Sequence, residues 1–367
     1  MFLMYEKGSG GMEQVILPAY RVGAGVLESS GELVMKHGTN ALLVGGRKGL
    51  AAALPRLRAG MEKAGVRCAG VEYYGGECTY DHMARLADIG RACGADLVIG
   101  VGGGKAIDTA KGCAYRLGVP VITVPTIAAT CAAVTKLSVV YDENRVFQEL
   151  MFFDVPPAFA LIDMQVLQEA PPCYLLAGIG DALAKHVECA FTSRGRTLPP
   201  MGVMGVTVSA AIYESLIRYG AKSFEEMKSA SVPEVLEHVA LTSIVTTGLV
   251  SLLIEEKYNG GVAHALFYGL TSLPGFEDCV LHGHAVGYGV LVQLALDGQL
   301  ERFRELRAFY EVIGMPRRLE DMGYPLTDEL LGRIAPLAAA AFKRDRESPY
   351  PVTEEMIRQA MLETERA

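Results

Sequence analysis

Up to about residue 165, short apolar, β-branched runs alternate with stretches whose apolar residues recur at helical spacing. Ala41 to Val44 (ALLV), Cys68 to Tyr73, Asp96 to Val101 (DLVIGV) and Pro120 to Val124 (PVITV) read as buried strands. Leu50 to Ala64, Tyr80 to Cys93 and Lys105 to Leu117 between them read as helices. Strand and helix units repeated in this way predict a parallel sheet covered by helices on both faces, with ligands at the carboxyl ends of the strands. Lys136 to Tyr141, a polar turn Asp142 to Arg145 (DENR) and Val146 to Phe153 then predict a hairpin. Beyond Pro171 the strand signal nearly disappears, and Tyr174 to Ser193, Met201 to Tyr219, Val232 to Leu253 and Thr327 to Lys343 predict long helices. The pattern predicts an α/β domain over residues 1–168 and an all-helical domain over 169–367, with Pro171 and Pro172 punctuating the boundary. There is no internal repeat or low-complexity segment.

Composition agrees with two globular cores. At 367 residues, 50% apolar and 21% charged, the chain is neither disordered nor a small disulfide scaffold. A net charge of -8 with no Lys/Arg cluster disfavours a nucleic-acid or membrane-surface partner and leaves a small molecule as the expected one. The longest uncharged stretches, Leu117 to Thr135 and Tyr258 to Phe276, are interrupted by prolines, glycines or a histidine, so buried segments are expected there instead of membrane spans. Met1 to Gly11 has neither a basic leader nor an apolar core of signal-peptide length, and a cytoplasmic location is the expectation. Eight cysteines without a CxxC pair are expected to be reduced thiols, mostly small core residues.

The third strand runs straight into Gly102-Gly103-Gly104-Lys105, which opens the next helix. Three consecutive glycines remove every Cβ where the backbone must approach something closely, and the amides and dipole of a helix N-terminus favour an anion there. Lys105 is expected to add a positive charge at the same mouth. A Walker loop is absent, because Ile99 stands where its first glycine belongs and Ala106 follows the lysine. The GxGxxG fingerprint started at Gly100 also fails, with Lys105 at its third glycine.

Three of the seven histidines, His264, His282 and His284, fall within twenty-one residues in apolar, glycine-rich helical surroundings. A buried imidazole needs a hydrogen-bond partner or a metal. Asp181, in GIGDALAK, opens a helical stretch and could be a third ligand or an ordinary N-cap. The spacing alone leaves both readings open.

In order along the chain, GGGKAIDTAK (102–111), VPTIAAT (124–130), LSVVY (137–141), AGIGDALAKHVE (177–188), AHALFYGLT (263–271) and LHGHAVGYG (281–289) resemble the glycerol dehydrogenase branch of the iron-containing alcohol dehydrogenase superfamily. The resemblance runs over residues 17–315 and implies a dinucleotide-binding domain followed by a helical metal-binding domain, the dehydroquinate synthase-like fold. It implies a divalent metal on Asp181, His264 and His282, Zn²⁺ ahead of Fe²⁺. It also implies NAD(H) or NADP(H) contacts at Gly103, Gly104, Lys105 and Asp108, at Thr126, Ile127, Ala128 and Ala129, and at Thr135, Leu137 and Tyr141. The implied activity is hydride transfer between the nicotinamide and a small polyol or a 2-hydroxy acid/2-oxo acid pair, in a homo-oligomer.

Three departures bear on specificity. Cys131 stands where an aspartate usually helps hold the polyol, a variant that resembles hydroxycarboxylate dehydrogenases. Gly45-Gly46-Arg47-Lys48 replaces the acidic residue that binds the adenosine ribose, which makes NADP(H) compatible alongside NAD(H). His284 follows the second histidine ligand where a polar or acidic residue is usual, and is a candidate proton relay or neighbour of the metal. The competing readings are a non-redox lyase of the dehydroquinate synthase type and a metal- and nucleotide-binding protein without turnover.

Overall fold

The computed structural model describes residues 15–229, 231 and 233–367. Met1 to Gly11, read above for a leader, and Val232, the expected start of a helix, lie outside the described residues. Eight strands are described: β1 (Tyr20–Gly23), β2 (Asn40–Gly45), β3 (Arg67–Tyr73), β4 (Leu97–Gly102), β5 (Val121–Pro125), β6 (Leu137–Tyr141), β7 (Phe147–Phe152) and β8 (Phe159–Asp163). Six of them form one sheet in the order β1-β8-β5-β4-β2-β3, every pairing parallel.

The four strands expected from apolar runs are present as β2, β3, β4 and β5, and β2, β4 and β5 lie inside the sheet, where cover on both faces favours a nearly continuous apolar run. β2 and β4 are buried along their whole length. Side chains still divide by period two. Leu43 packs with Ala53 and Leu57 of the Arg47–Lys63 helix, whereas Leu42 and Val44 pack with Leu86 and Ala110 of the helices on the opposite face. β1 and β8 were not singled out in the sequence. β1 is a four-residue, half-exposed edge strand with too few positions to show a period. Asp163 ends β8, and its buried carboxylate accepts from the amides of Leu27 (3.1 Å) and Gln165 (3.0 Å), joining the two ends of this half.

From β2 the chain moves outward to β3, then crosses back to β4 on the other side, so the direction of winding reverses between β2 and β4. That reversal opens a crevice at their carboxyl ends, where Gly45-Gly46 and Gly102-Gly103 lie. The expected hairpin is the antiparallel pair β6–β7. Its turn is set by Asp142, whose Oδ1 accepts from the amides of Asn144 and Val146 (both 2.8 Å), with Arg145 at φ 64°.

After Pro172 the described residues contain helices only. The largest apolar core joins these helices to Ala160 and Ile162 of β8 and to Ala128, Ala133 and Val134, so the helical half is seated on one flank of the sheet. The expected single helix 232–253 is split. Helix Glu234–Leu241 passes into a π turn, Thr242–Thr246, and then helix Thr247–Leu253. The Thr247 hydroxyl donates to the Thr242 carbonyl at 2.9 Å inside this bulge. One extra residue in a turn leaves hydrophobic periodicity nearly unchanged, which is why the pattern did not reveal it.

The cysteines also depart from expectation. All eight are free, but only Cys78, Cys113 and Cys189 are buried, while Cys173 and Cys279 are exposed. Of the uncharged stretches, 117–135 contains β5 and its loop, and 258–276 contains the nine-residue helix Val262–Leu270. Two other segments, Pro200–Glu226 and Glu234–Leu253, are long and apolar enough to cross a membrane by length and composition.

Candidate active site

Asp181, His264 and His282 come together from three helices. Asp181 lies in the middle of helix Pro172–Thr192, nine residues after its start, which excludes the capping role the sequence left open. His264 is carried by helix Val262–Leu270, and His282 opens helix His282–Leu296. The Asp181 Oδ1 is 3.4 Å from Nε2 of each histidine, and the three donor atoms lie within 4.8 Å of one another.

Glycines make that convergence possible. A Cβ on Gly180 would stand 2.1 Å from the Gly283 carbonyl oxygen, and one on Gly283 would stand 1.8 Å from that of Ala177. The helices bearing Asp181 and His282 therefore touch backbone to backbone, one residue from each donor. Gly289 meets the Ala263 carbonyl in the same way (2.7 Å), drawing in the helix of His264.

Sequence reasoning missed Glu188. It lies seven residues after Asp181, two helical turns along the same face, and is almost fully buried. Its Oε1 accepts from the His264 amide at 2.8 Å, and its Oε2 pairs with the His264 Nδ1 at 2.6 Å. The signal was present at the end of AGIGDALAKHVE, as a buried-face carboxylate in phase with Asp181. Burial alone would lower the His264 pKa, but the Glu188 and Asp181 carboxylates outweigh it and raise it to about 9. Burial likewise opposes ionisation of Asp181, yet hydrogen bonds from His264 and His282 hold its carboxyl well below the usual range.

The donor set fits a divalent cation. With Nδ1 of His264 committed to Glu188, its Nε2 is the free ligand atom. Two imidazoles and one carboxylate leave coordination positions for a small oxygen ligand. His282, about a third exposed and edge-on to the Phe267 ring at 4.4 Å, opens the cluster toward solvent.

The glycine loop lies at the carboxyl end of β4. Gly102 has φ +146°, a conformation L side chains rarely adopt, and Gly103 precedes helix Gly104–Leu117 with no side-chain cap. The first amides of that helix have no intrahelical acceptor and suit an anion. A Cβ on Gly103 would stand 2.7 Å from Ile127, and one on Gly104 would stand 3.1 Å from Thr130. Thr126 donates its amide to the Gly102 carbonyl at 3.1 Å. On the other side, a Cβ on Gly178 would stand 1.8 Å from the Ala128 carbonyl oxygen and 3.3 Å from Cα of Ala129. Residues 126–129 thus bridge the loop and the helix of Asp181, reaching it within one turn of the carboxylate.

Two charged residues near the loop are already paired within the protein. Lys105 does not present a free charge, since its Nζ is 2.5 Å from Glu77 and lies over the Tyr141 ring at 5.1 Å. Asp108 is buried and faces inward. It pairs with the buried Lys111 at 2.8 Å and accepts from the Val139 amide at 3.1 Å. Lys111 also donates to the carbonyls of Ala132 and Leu137 and reaches the Thr135 hydroxyl. Asp108, Thr135 and Leu137 therefore meet on Lys111, which fastens the hairpin to the glycine-loop helix. Tyr141 lies edge-on to Phe147.

Neither Cys131 nor His284 belongs to the ligand cluster, although the charges of Lys185 and Asp181 act on Cys131. Burial pushes the Cys131 thiol up to about 11, and its charged neighbours are Lys185 and Asp181. The His284 ring turns toward the backbone of Cys173, and its pKa is lowered by burial. Among the described residues the ligand cluster is Asp181, His264 and His282 alone.

Known proteins place this architecture. The family model for iron-containing alcohol dehydrogenases matches residues 18–164. A glycerol dehydrogenase of Thermotoga maritima is 35% identical over 77% of this chain and 78% of its own. Hydroxycarboxylate dehydrogenase A of Escherichia coli is 34% identical over 79% of each chain. The crystal structure of glycerol dehydrogenase from Schizosaccharomyces pombe superposes with a TM-score of 0.86 at 26% identity, over 97% of this chain and 91% of that one. The chain therefore belongs to the iron-containing alcohol dehydrogenase family, metal-dependent, nicotinamide-linked oxidoreductases that act on a CH–OH group.

Proposed function

We propose that this enzyme interconverts small 2-hydroxy acids and 2-oxo acids, with small polyols as its second substrate class. The observation that carries the reading is Asp181 Oδ1 at 3.4 Å from both imidazoles, and the thiol of Cys131, kept neutral by burial, stands in the segment where a carboxylate would repel an acid. In this reading residues 1–168 hold the dinucleotide and 169–367 carry the metal. Asp181, His264 and His282 hold one divalent cation, Zn²⁺ in preference to Fe²⁺. NADP(H) is accepted as well as NAD(H), because Arg47, stacked over Tyr73 at 4.7 Å, and Lys48 follow β2 in place of a carboxylate.

When bound, the cation and the dinucleotide supply a Lewis acid for the substrate oxygen and the hydride exchange. The protein's own groups do the rest. Glu188 fixes the His264 ring so that Nε2 faces Asp181. Amides of the helix beginning at Gly104 would hold the pyrophosphate. Segment 126–129 sets the spacing between that anion site and the helix of Asp181, and the hairpin held by Lys111 closes one side of the cleft. Arg145 pairs with Asp278, and Phe147 lies 5.1 Å from Tyr268, so this hairpin also touches the helical half and screens the cleft from water. Cysteines that are all unpaired suit a reducing, cytoplasmic setting. The exposed Val203 and Met204 on helix Pro200–Glu226 support a homo-oligomer.

A panel of glycerol, 1,2-propanediol, 2-oxobutanoate and 2-oxoglutarate, each with both cofactors, tests the reading. The expected result is the highest kcat/KM on a 2-oxo acid. Nucleotide and metal binding without turnover on any of them would return the protein to the non-catalytic reading.

A further inference from the structure

Helix Pro172–Thr192 carries a third charged residue on the face that holds Asp181 and Glu188. Lys185 is four residues after Asp181 and three before Glu188, so all three lie along one stripe. Lys185 is half-buried, in contrast to the buried Ala184 and His186 on either side of it. Its Nζ donates to Oδ1 of Asn259 at 2.8 Å, and among the described residues it forms no ion pair.

No carboxylate among the described residues pairs directly with this ammonium, although the Glu188 charge acts on it at longer range. Asp181 is committed to two imidazoles. Both oxygens of Glu188 are committed to His264, one to its amide and one to its ring. Cys131, for which Lys185 is the leading charged neighbour, is held in its neutral thiol form by burial. Asn259 is a neutral acceptor and satisfies only one of the three N–H donors of the ammonium. An ammonium with spare donors beside a metal-ligand cluster matches a ligand that carries an oxygen for the cluster and an anionic group for the lysine. A 2-hydroxy or 2-oxo acid has both on adjacent carbons, whereas a polyol offers only hydroxyls.

We propose that Lys185, positioned by Asn259, binds the carboxylate of the substrate and sets the preference for hydroxy acids over polyols. The inference rests on the reading of the cluster as the seat of alcohol and carbonyl chemistry. Cys131 is its complement. Lys185 is the leading charge acting on Cys131, so a carboxylate at that position would oppose the lysine's charge.

The test compares 2-oxobutanoate with hydroxyacetone, a neutral carbonyl of similar size, in the wild-type enzyme and in Lys185→Gln, Lys185→Arg and Cys131→Asp. Lys185→Gln is expected to lower the ratio of kcat/KM values, 2-oxobutanoate over hydroxyacetone, by at least about tenfold, mainly through KM. Lys185→Arg should restore most of it. Cys131→Asp should lower the same ratio, and the double variant Cys131→Asp/Lys185→Gln should lose less than the product of the single effects. Equilibrium binding of 2-oxobutanoate to the NADH-loaded proteins should weaken in parallel, and thermal melts report whether each variant is folded. A ratio unchanged within twofold in folded Lys185→Gln, with the wild type active on both carbonyls, overturns the role of Lys185 and leaves the dehydrogenase reading standing. A wild type that turns over neither carbonyl overturns that reading instead.

Discussion

The ligand cluster and the glycine mouth are assembled in opposite ways. The cluster is made of side chains from three helices, Asp181, His264 and His282, brought within 4.8 Å by backbone contacts at Gly180, Gly283 and Gly289. The mouth is made of backbone, from a single loop contiguous in sequence, and Lys105 in the first turn of its helix is already paired with Glu77. A site built from side chains fails when one donor is removed. A site built from amides fails when a Cβ is added, and tolerates changes to the side chains around it.

The largest expected effect follows from the ligands. Asp181→Asn, His264→Ala and His282→Ala should each lower kcat/KM by at least about 10³-fold and lower the bound metal, while NAD(P)H affinity stays within a few-fold. Loss of dinucleotide binding in all three folded variants would erase the contrast between the regions. Next is Gly283→Ala, whose Cβ would stand 1.8 Å from the Ala177 carbonyl. It should cost about 3 kcal/mol in urea unfolding and weaken metal binding, although residue 283 supplies no ligand atom. A fully metallated, equally stable variant would show that the helices can separate without cost.

Glu188→Gln should weaken metal affinity by about 10- to 100-fold, measured by chelator competition, with the ligands themselves untouched. A smaller, global effect distinguishes the helical half under acid. His186 is buried, with Nδ1 3.0 Å from the Ser209 hydroxyl, and burial lowers its pKa to about 4. Its folded pKa lies below the unfolded value of 6.5, so the unfolded chain binds the proton more readily. Stability from this residue is complete above pH 6.5 and declines as pH falls toward 4, by about 2 kcal/mol at pH 5. The urea midpoint of His186→Gln should therefore fall less steeply than wild type between pH 7 and 5. The smallest effect belongs to the mouth: Lys105→Met should change dinucleotide Kd by less than about tenfold, since Glu77 already neutralises that charge.

Much of the fold was legible because continuous apolar runs and helical spacing record burial directly. ALLV, DLVIGV and PVITV became β2, β4 and β5, and DENR became the hairpin turn. β1 was too short to show a period, and the π turn at 242–246 leaves the helical pattern nearly intact. In the site, the glycine loop was legible because all its parts are adjacent in the chain. Glu188 was not, because a buried carboxylate in a helix looks the same whether it serves a histidine or a neighbouring amide.

Taken alone, the chain determined four of its sheet strands, the hairpin, most of its long helices, the glycine turn after β4 and, through six ordered motifs, its family. Those are properties of near neighbours, where periodicity and backbone freedom act over a few residues. Tertiary structure decided that Asp181 lies mid-helix near two imidazoles instead of capping a helix, which partner takes Lys105, and that His284 stays outside the Asp181, His264 and His282 cluster. Each depends on the distance between side chains on different elements, and that distance is set by how closely glycine-bearing helices pack, which no local pattern encodes.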